Sequence, residues 1–199
     1  KFLHGLLDAD KTYEASIMMG QSSSTGDAEG SLSVWADPSP HLYRLSEVLD
    51  RFKGPQCQTP PMYAALKHEG KALYAWAREG IEVPRQPRSI VIHQLDILDM
   101  VQCASSVGEM TCLRLRVHCS KGTYIRSLAH DVGQALGCGA YLSGLRRIAV
   151  ASFKEEQMLS LDGLEPLDFA GRSAALLPSD SLLLHLERID LDHQSSQRL

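Results

Sequence analysis

The chain has 199 residues, 44% hydrophobic and 22% charged, the balance of an ordinary soluble protein long enough to bury a substantial core. It has no apolar run near the ~20 residues of a membrane helix, and its start, Lys1-Phe2-Leu3-His4, lacks signal-peptide architecture, so a cytoplasmic location is expected. Five cysteines (Cys57, Cys103, Cys112, Cys119, Cys138) without a C-x-x-C pair, and eight histidines scattered singly, argue against a disulfide framework and against a thiolate or zinc site.

The net charge of −4 and pI near 6.1 argue against a nucleic-acid partner, but the distribution of charge does not. From Arg51 to Lys154 there are 14 Lys and Arg against 7 Asp and Glu, and outside that stretch 6 against 17. A basic body lies between acidic flanks. Such asymmetry also arises from solvated surfaces, because phosphate binding requires clustering in space.

Tyr13, Ala15, Ile17 and Met19 alternate within Lys11 to Gly20 and predict a strand that Gly20 ends. Gln21 to Gly30, rich in Ser and Gly, reads as a loop, and Ser31 to Asp37 as a second strand. Leu45, Val48, Leu49 and Phe52 have helical spacing before Gly54. Between Pro55 and Pro61 the prolines are expected to forbid regular structure. Lys71 to Glu79 reads as a short helix with Leu73, Trp76 and Ala77 inward and Gly80 past its end.

Arg88 to Met100 has strand composition. Leu113, Leu115, Val117 and Cys119 alternate with Arg114, Arg116 and His118, a half-exposed strand with one basic face. Gln102 to Glu109 reads as an insertion in the hairpin between them. A helix is expected from about Thr123, with Ile125, Leu128, Val132 and Leu136 at i, i+3, i+7 and i+11 and Gly137 just beyond. Leu142 to Phe153 is a further apolar stretch interrupted by Arg146-Arg147. After Met158 the chain turns to Leu, Asp and Glu.

Three constellations carry potential chemistry. The first is Lys11-Thr12-Tyr13 with Thr25-Gly26-Asp27. The second is Pro60-Pro61-Met62-Tyr63-Ala64-Ala65-Leu66-Lys67 followed by Gly70-Lys71-Ala72-Leu73-Tyr74 and Ala77-Arg78. The third runs from Cys119 to Leu128 through Ser120-Lys121-Gly122-Thr123-Tyr124-Ile125-Arg126-Ser127, then Gly137-Cys138-Gly139-Ala140 and Leu145-Arg146-Arg147. A strand end, a turn and the first turn of a helix bearing arginine favour an anion. The residues alone leave core packing for Tyr124 and Ile125, and a surface ion pair for Arg126, equally open.

These strings, in this order over roughly residues 1 to 153, resemble the TruB family of pseudouridine synthases. The resemblance implies an α+β core with a mixed, largely antiparallel sheet flanked by helices, a thumb-like insertion at about 61 to 88, and a catalytic core over 1–153. It implies that 154–199 are a linker and the start of a small C-terminal domain. The implied activity is isomerisation of uridine 55 in the T stem-loop of tRNA, by a monomer, without metal or cofactor. An aspartate attacks the flipped nucleoside, the C–N glycosidic bond breaks, the base rotates and a C–C bond forms at C5. Flipping is required because the stacked loop shields the reacting atoms.

By the same resemblance, Tyr13 stacks on the target base and is a candidate for removing the C5 proton. Arg126 orients the nucleophilic aspartate, Asp27 lies near that arginine, and Leu145 lines the uracil pocket with Tyr124 beside it. Lys67, Lys71 and Arg78 are candidate phosphate contacts. The family's nucleophile belongs to a G-x-L-D-type motif farther upstream of the lysine-x-tyrosine strand; Gly5-Leu6-Leu7-Asp8 has those letters, but Asp8 and Asp10 sit too close to Tyr13 to fill that role. The chain is therefore expected to be a fragment, inactive by itself. A non-catalytic tRNA-binding module and a guide-RNA-dependent synthase of ribosomal RNA are the alternatives.

Overall fold

The computed structural model describes residues 4–105, 108–183, 186–187 and 189–190. Helix α1 (His4–Asp8) leads into strand β1 (Lys11–Met19). The Lys11 ammonium donates to the carbonyl oxygens of Leu6, Leu7 and Ala9 at 2.6 to 3.2 Å, closing the C-terminal end of α1, where a cation is favoured. The alternation that predicts β1 holds in part: Ala15, Ile17 and Met19 are buried, but Met18 is buried too, against Cys112 and Tyr141 on the opposite face.

After Gly20 come a short hairpin, β2 (Gln21–Ser23) and β3 (Leu32–Val34), a 3-10 turn, and helix α2 (Leu45–Arg51), which buries Leu45, Val48 and Leu49. The expected second strand is thus confined to three residues. Strand β4 (Gly54–Gln58) follows and overturns the expectation that the prolines exclude regular structure: Pro55 lies opposite Val91 on strand β7 (Arg88–Ser105). β4 is the edge strand, where a residue without an N–H leaves no ladder bond unmade.

Between β4 and β7 the chain makes an excursion containing a hairpin, β5 (Lys67–His68) and β6 (Lys71–Ala72), and helix α3 (Leu73–Arg78). It has its own apolar cluster of Ala64, Leu73 and Val83, joined by Met62, Leu66, Trp76 and Tyr124. Next come β8 (Gly108–Cys119), helix α4 (Ile125–Leu136), β9 (Ala140–Val150) and β10 (Phe153–Lys154). The expected insertion at Gln102 to Glu109 is the tip of the β7–β8 hairpin, and residues 106–107 lie outside the described residues.

The main sheet has the order β10-β9-β1-β8-β7-β4, with every pairing antiparallel; one isolated parallel bridge joins Asp27 to Leu142. α4 lies across the sheet, its predicted stripe of Ile125, Leu128, Val132 and Leu136 buried against Ile17, Leu113, Leu115 and Val117. Each such side chain contributes roughly 1.5–3 kcal/mol of burial, so this contact outweighs any local preference in fixing the start of α4. Gly137, at φ 84°, ends the helix, and its N–H reaches the carbonyls of Gly133 and Gln134. Gly133 faces the following turn so closely that a Cβ there would lie 2.2 Å from the Ala140 nitrogen.

Beyond β10 are two short helices, α5 (Leu161–Leu164) and α6 (Phe169–Ala174), capped by the Ser160 and Asp168 side chains. Neither has a buried residue, and Phe169 is 87% exposed. No helix among the described residues is long and apolar enough to cross a membrane.

Candidate active site

Three walls enclose a cleft of about 450 Å³, a size that admits a nucleoside. β1 supplies Tyr13, β9 supplies Leu145 and Arg147, and the start of α4 supplies Tyr124 and Arg126; Asp27 comes from the loop after β2. The pairing β1–β9 sets Tyr13 opposite Arg147, and a bulge between Ser16 and Ile17 shifts the register there. Asp27 is pinned to the sheet by its bridge with Leu142, whose N–H donates to the Gly26 carbonyl at 3.0 Å. Residues distant in sequence thus share one cleft.

Arg126 is held from two sides. Nη1 donates to Oδ2 of Asp27 at 2.8 Å, and Nη2 donates to the Tyr63 carbonyl. Both Arg126 and Asp27 side chains are 24% exposed, so the pair is screened less than a surface ion pair but remains open to the cleft. Oδ1 of Asp27 accepts from the Thr25 hydroxyl at 2.6 Å and the Glu29 N–H at 3.1 Å. Partial burial pushes the Asp27 carboxyl up, but these two hydrogen bonds, with the charge and hydrogen bond of Arg126, outweigh it and hold the carboxyl below its usual range.

Across the cleft, the Arg147 guanidinium sits 5.5 Å from the centre of the Tyr13 ring. No carboxylate pairs with it among the described residues, whereas its neighbour Arg146 pairs with Glu155 at 2.6 Å. Leu145 is 50% exposed at the cleft mouth, an apolar surface available to a flat base. The arrangement offers an aromatic face, an apolar edge, a free guanidinium and a second guanidinium oriented by a carboxylate.

The structure brings Tyr13, Asp27, Tyr124, Arg126 and Leu145 to the lining of one cleft. Lys67, Lys71 and Arg78 lie on the excursion after β4. Lys71 is already engaged, with Glu79 as ion-pair partner and the Trp76 ring 4.1 Å away; Arg78 lies over the Tyr74 ring at 5.4 Å; Lys67 is exposed. Asp10 pairs with His93 at 3.1 Å and Asp8 with Lys121 at 2.7 Å, so both are occupied away from the cleft. Arg147 and the buried Gln58 escaped the sequence reading. The signal for Arg147 was its place in the Leu145-Arg146-Arg147 string; nothing local distinguishes Gln58. No group of three or more His, Cys, Asp or Glu capable of holding a metal occurs among the described residues.

The six-stranded sheet with α4 packed across it makes the chain an α+β protein. In a crystal structure of a Cbf5-Nop10-Gar1 complex, one chain superposes with a TM-score of 0.63 and 25% identity, over 93% of this chain and 46% of that one. An H/ACA RNP bound to a substrate RNA containing 2'-deoxyuridine gives 0.58 and 22% over 93% and 45%, a likeness of fold alone. Residues 1–125 match the TruB family pseudouridylate synthase N-terminal domain, and 126–184 the tRNA pseudouridylate synthase B C-terminal domain. The chain belongs to the TruB pseudouridylate synthase family. It is 48% identical over its whole length to tRNA pseudouridine synthase B of Dechloromonas aromatica and 46% identical over 96% of its length to that of Azoarcus sp.. It spans 64% and 61% of those relatives.

Proposed function

We propose that the full-length protein carrying this chain isomerises uridine 55 of tRNA to pseudouridine, gripping the T stem-loop as a cytoplasmic monomer without metal or cofactor. The observation that carries this reading is the Arg126–Asp27 pair facing Tyr13 across a nucleoside-sized cleft. Tyr13 stacks on the flipped uracil and is placed to accept the C5 proton, while Leu145 and Tyr124 bound the base. Arg126, held by Asp27 and the Tyr63 carbonyl, presents a fixed cation to the attacking carboxylate. That carboxylate is assigned to a G-x-L-D-type motif farther upstream of β1, because the string Gly5-Leu6-Leu7-Asp8 lies too close to Tyr13 and its Asp8 pairs with Lys121. The catalytic core is assigned to 1–153 and the linker with the start of a small C-terminal domain to 154–199.

The guide-RNA-dependent alternative draws on the Cbf5 likeness, but 25% identity there against 48% to tRNA pseudouridine synthase B favours the tRNA enzyme. Tritium release from tRNA labelled at C5 of uridine tests the reading. The full-length protein is expected to release one tritium per tRNA, lost when position 55 is replaced by cytidine, and the 199-residue chain alone to release none. Release that persists with cytidine 55, or release by the isolated chain, counts against it.

A further inference from the structure

Gln58, the last residue of β4, is 6% exposed, and its side-chain amide spans to the opposite side of the site. Its Oε1 accepts from the Tyr124 N–H at 2.8 Å and its Nε2 donates to the Tyr124 carbonyl at 3.1 Å. Both backbone groups of one residue are thus held by one amide, across 66 positions of sequence. Tyr124 immediately precedes α4, where its N–H has no helical partner.

The neighbours of Gln58 repeat the connection. The Ser127 hydroxyl donates to the Thr59 carbonyl at 3.4 Å, and Arg126 donates to the Tyr63 carbonyl. The Tyr124 ring packs into the excursion's own cluster of Ala64, Leu73 and Val83. Three of the four residues from Tyr124 to Ser127, namely Tyr124, Arg126 and Ser127, are therefore fastened to the root of the excursion after β4.

Resting on the isomerase reading above, we propose that Gln58 is a positioning residue that ties the root of this excursion to the first turn of α4 and so sets where Arg126 stands when RNA is gripped. It touches no substrate. Its amide matches the Tyr124 peptide in both donor and acceptor, which neither an apolar side chain nor a carboxylate can do. Displacing a catalytic wall by about 1 Å can cost up to ~100-fold in rate while leaving affinity nearly intact.

The test compares full-length wild type with Gln58→Ala and Gln58→Glu, measuring single-turnover tritium release at saturating protein, Kd for tRNA and Tm. Gln58→Ala is expected to slow the chemical step roughly 10- to 100-fold with Kd within about twofold of wild type. Gln58→Glu, which still accepts from the Tyr124 N–H but cannot donate to its carbonyl, is expected to fall between. Wild-type single-turnover rates in both variants overturn the proposal, as does a loss of rate that merely follows the unfolded fraction. An active wild type with unaffected variants sinks this proposal alone; a wild type that releases no tritium sinks the isomerase reading, and this proposal with it.

Discussion

Asp27 carries two duties that its surroundings make compatible. One carboxylate oxygen closes its own loop through Thr25 and Glu29, and the other faces Arg126. Asn in its place keeps an acceptor for the loop but loses the charge, so Asp27→Asn is expected to destabilise the chain at pH 7 by roughly 1–3 kcal/mol, the cost of a half-buried cation losing its partner. The folded-state carboxyl lies below its ordinary value. Its stabilisation is therefore fully present above the unfolded-state pKa of about 3.9 and is lost as the pH falls through the lower folded value. Thermal melts of both proteins from pH 7 to pH 2 should converge at the acid end. A constant difference in Tm would show that the pair contributes no linkage.

The α4–β9 connection decides the geometry of the cleft at the level of elements. Gly133→Ala gains up to ~1 kcal/mol in helix propensity, but the added Cβ would lie 2.2 Å from the Ala140 nitrogen and 2.5 Å from the Gly139 carbonyl carbon. Backbone cannot rotate aside as a flexible side chain can, so the clash wins and a net loss of roughly 1–3 kcal/mol is expected. For a chain of this size that is about 2–4 °C of Tm per kcal/mol. An unchanged or raised melting temperature would show that the turn relaxes without cost. The stripe from Ile125 to Leu136 made α4 legible in the sequence because its period matches the helix. β4 was not legible, because whether Pro55 is tolerated depends on its lying at the sheet edge, a property of strand order rather than of the string itself.

Over the whole molecule the net charge is negative, yet the excursion presents Lys67 and Arg78 without carboxylate partners among the described residues, beside Lys71 already paired with Glu79. If this surface grips a phosphate backbone, each free cation displaces about one counterion on binding. With a T-arm hairpin RNA and the 199-residue chain, Lys67→Ala should lower the slope of log affinity against log salt by about 1, and Lys71→Ala by less. Equal slopes for wild type and both variants would remove the excursion from the RNA interface.

The sequence by itself determined the family, the α+β class, the central strand, α4 and the identity of five residues of the cleft, because long ordered motifs and regular apolar periods survive without knowledge of the fold. Only the tertiary structure decided that Arg147 stands over Tyr13, that Lys71 is internally neutralised, and that Gln58 clasps Tyr124. These depend on strand register and on contacts between segments tens of residues apart, and neither composition nor local spacing encodes which distant carbonyl, carboxylate or ring a side chain will meet.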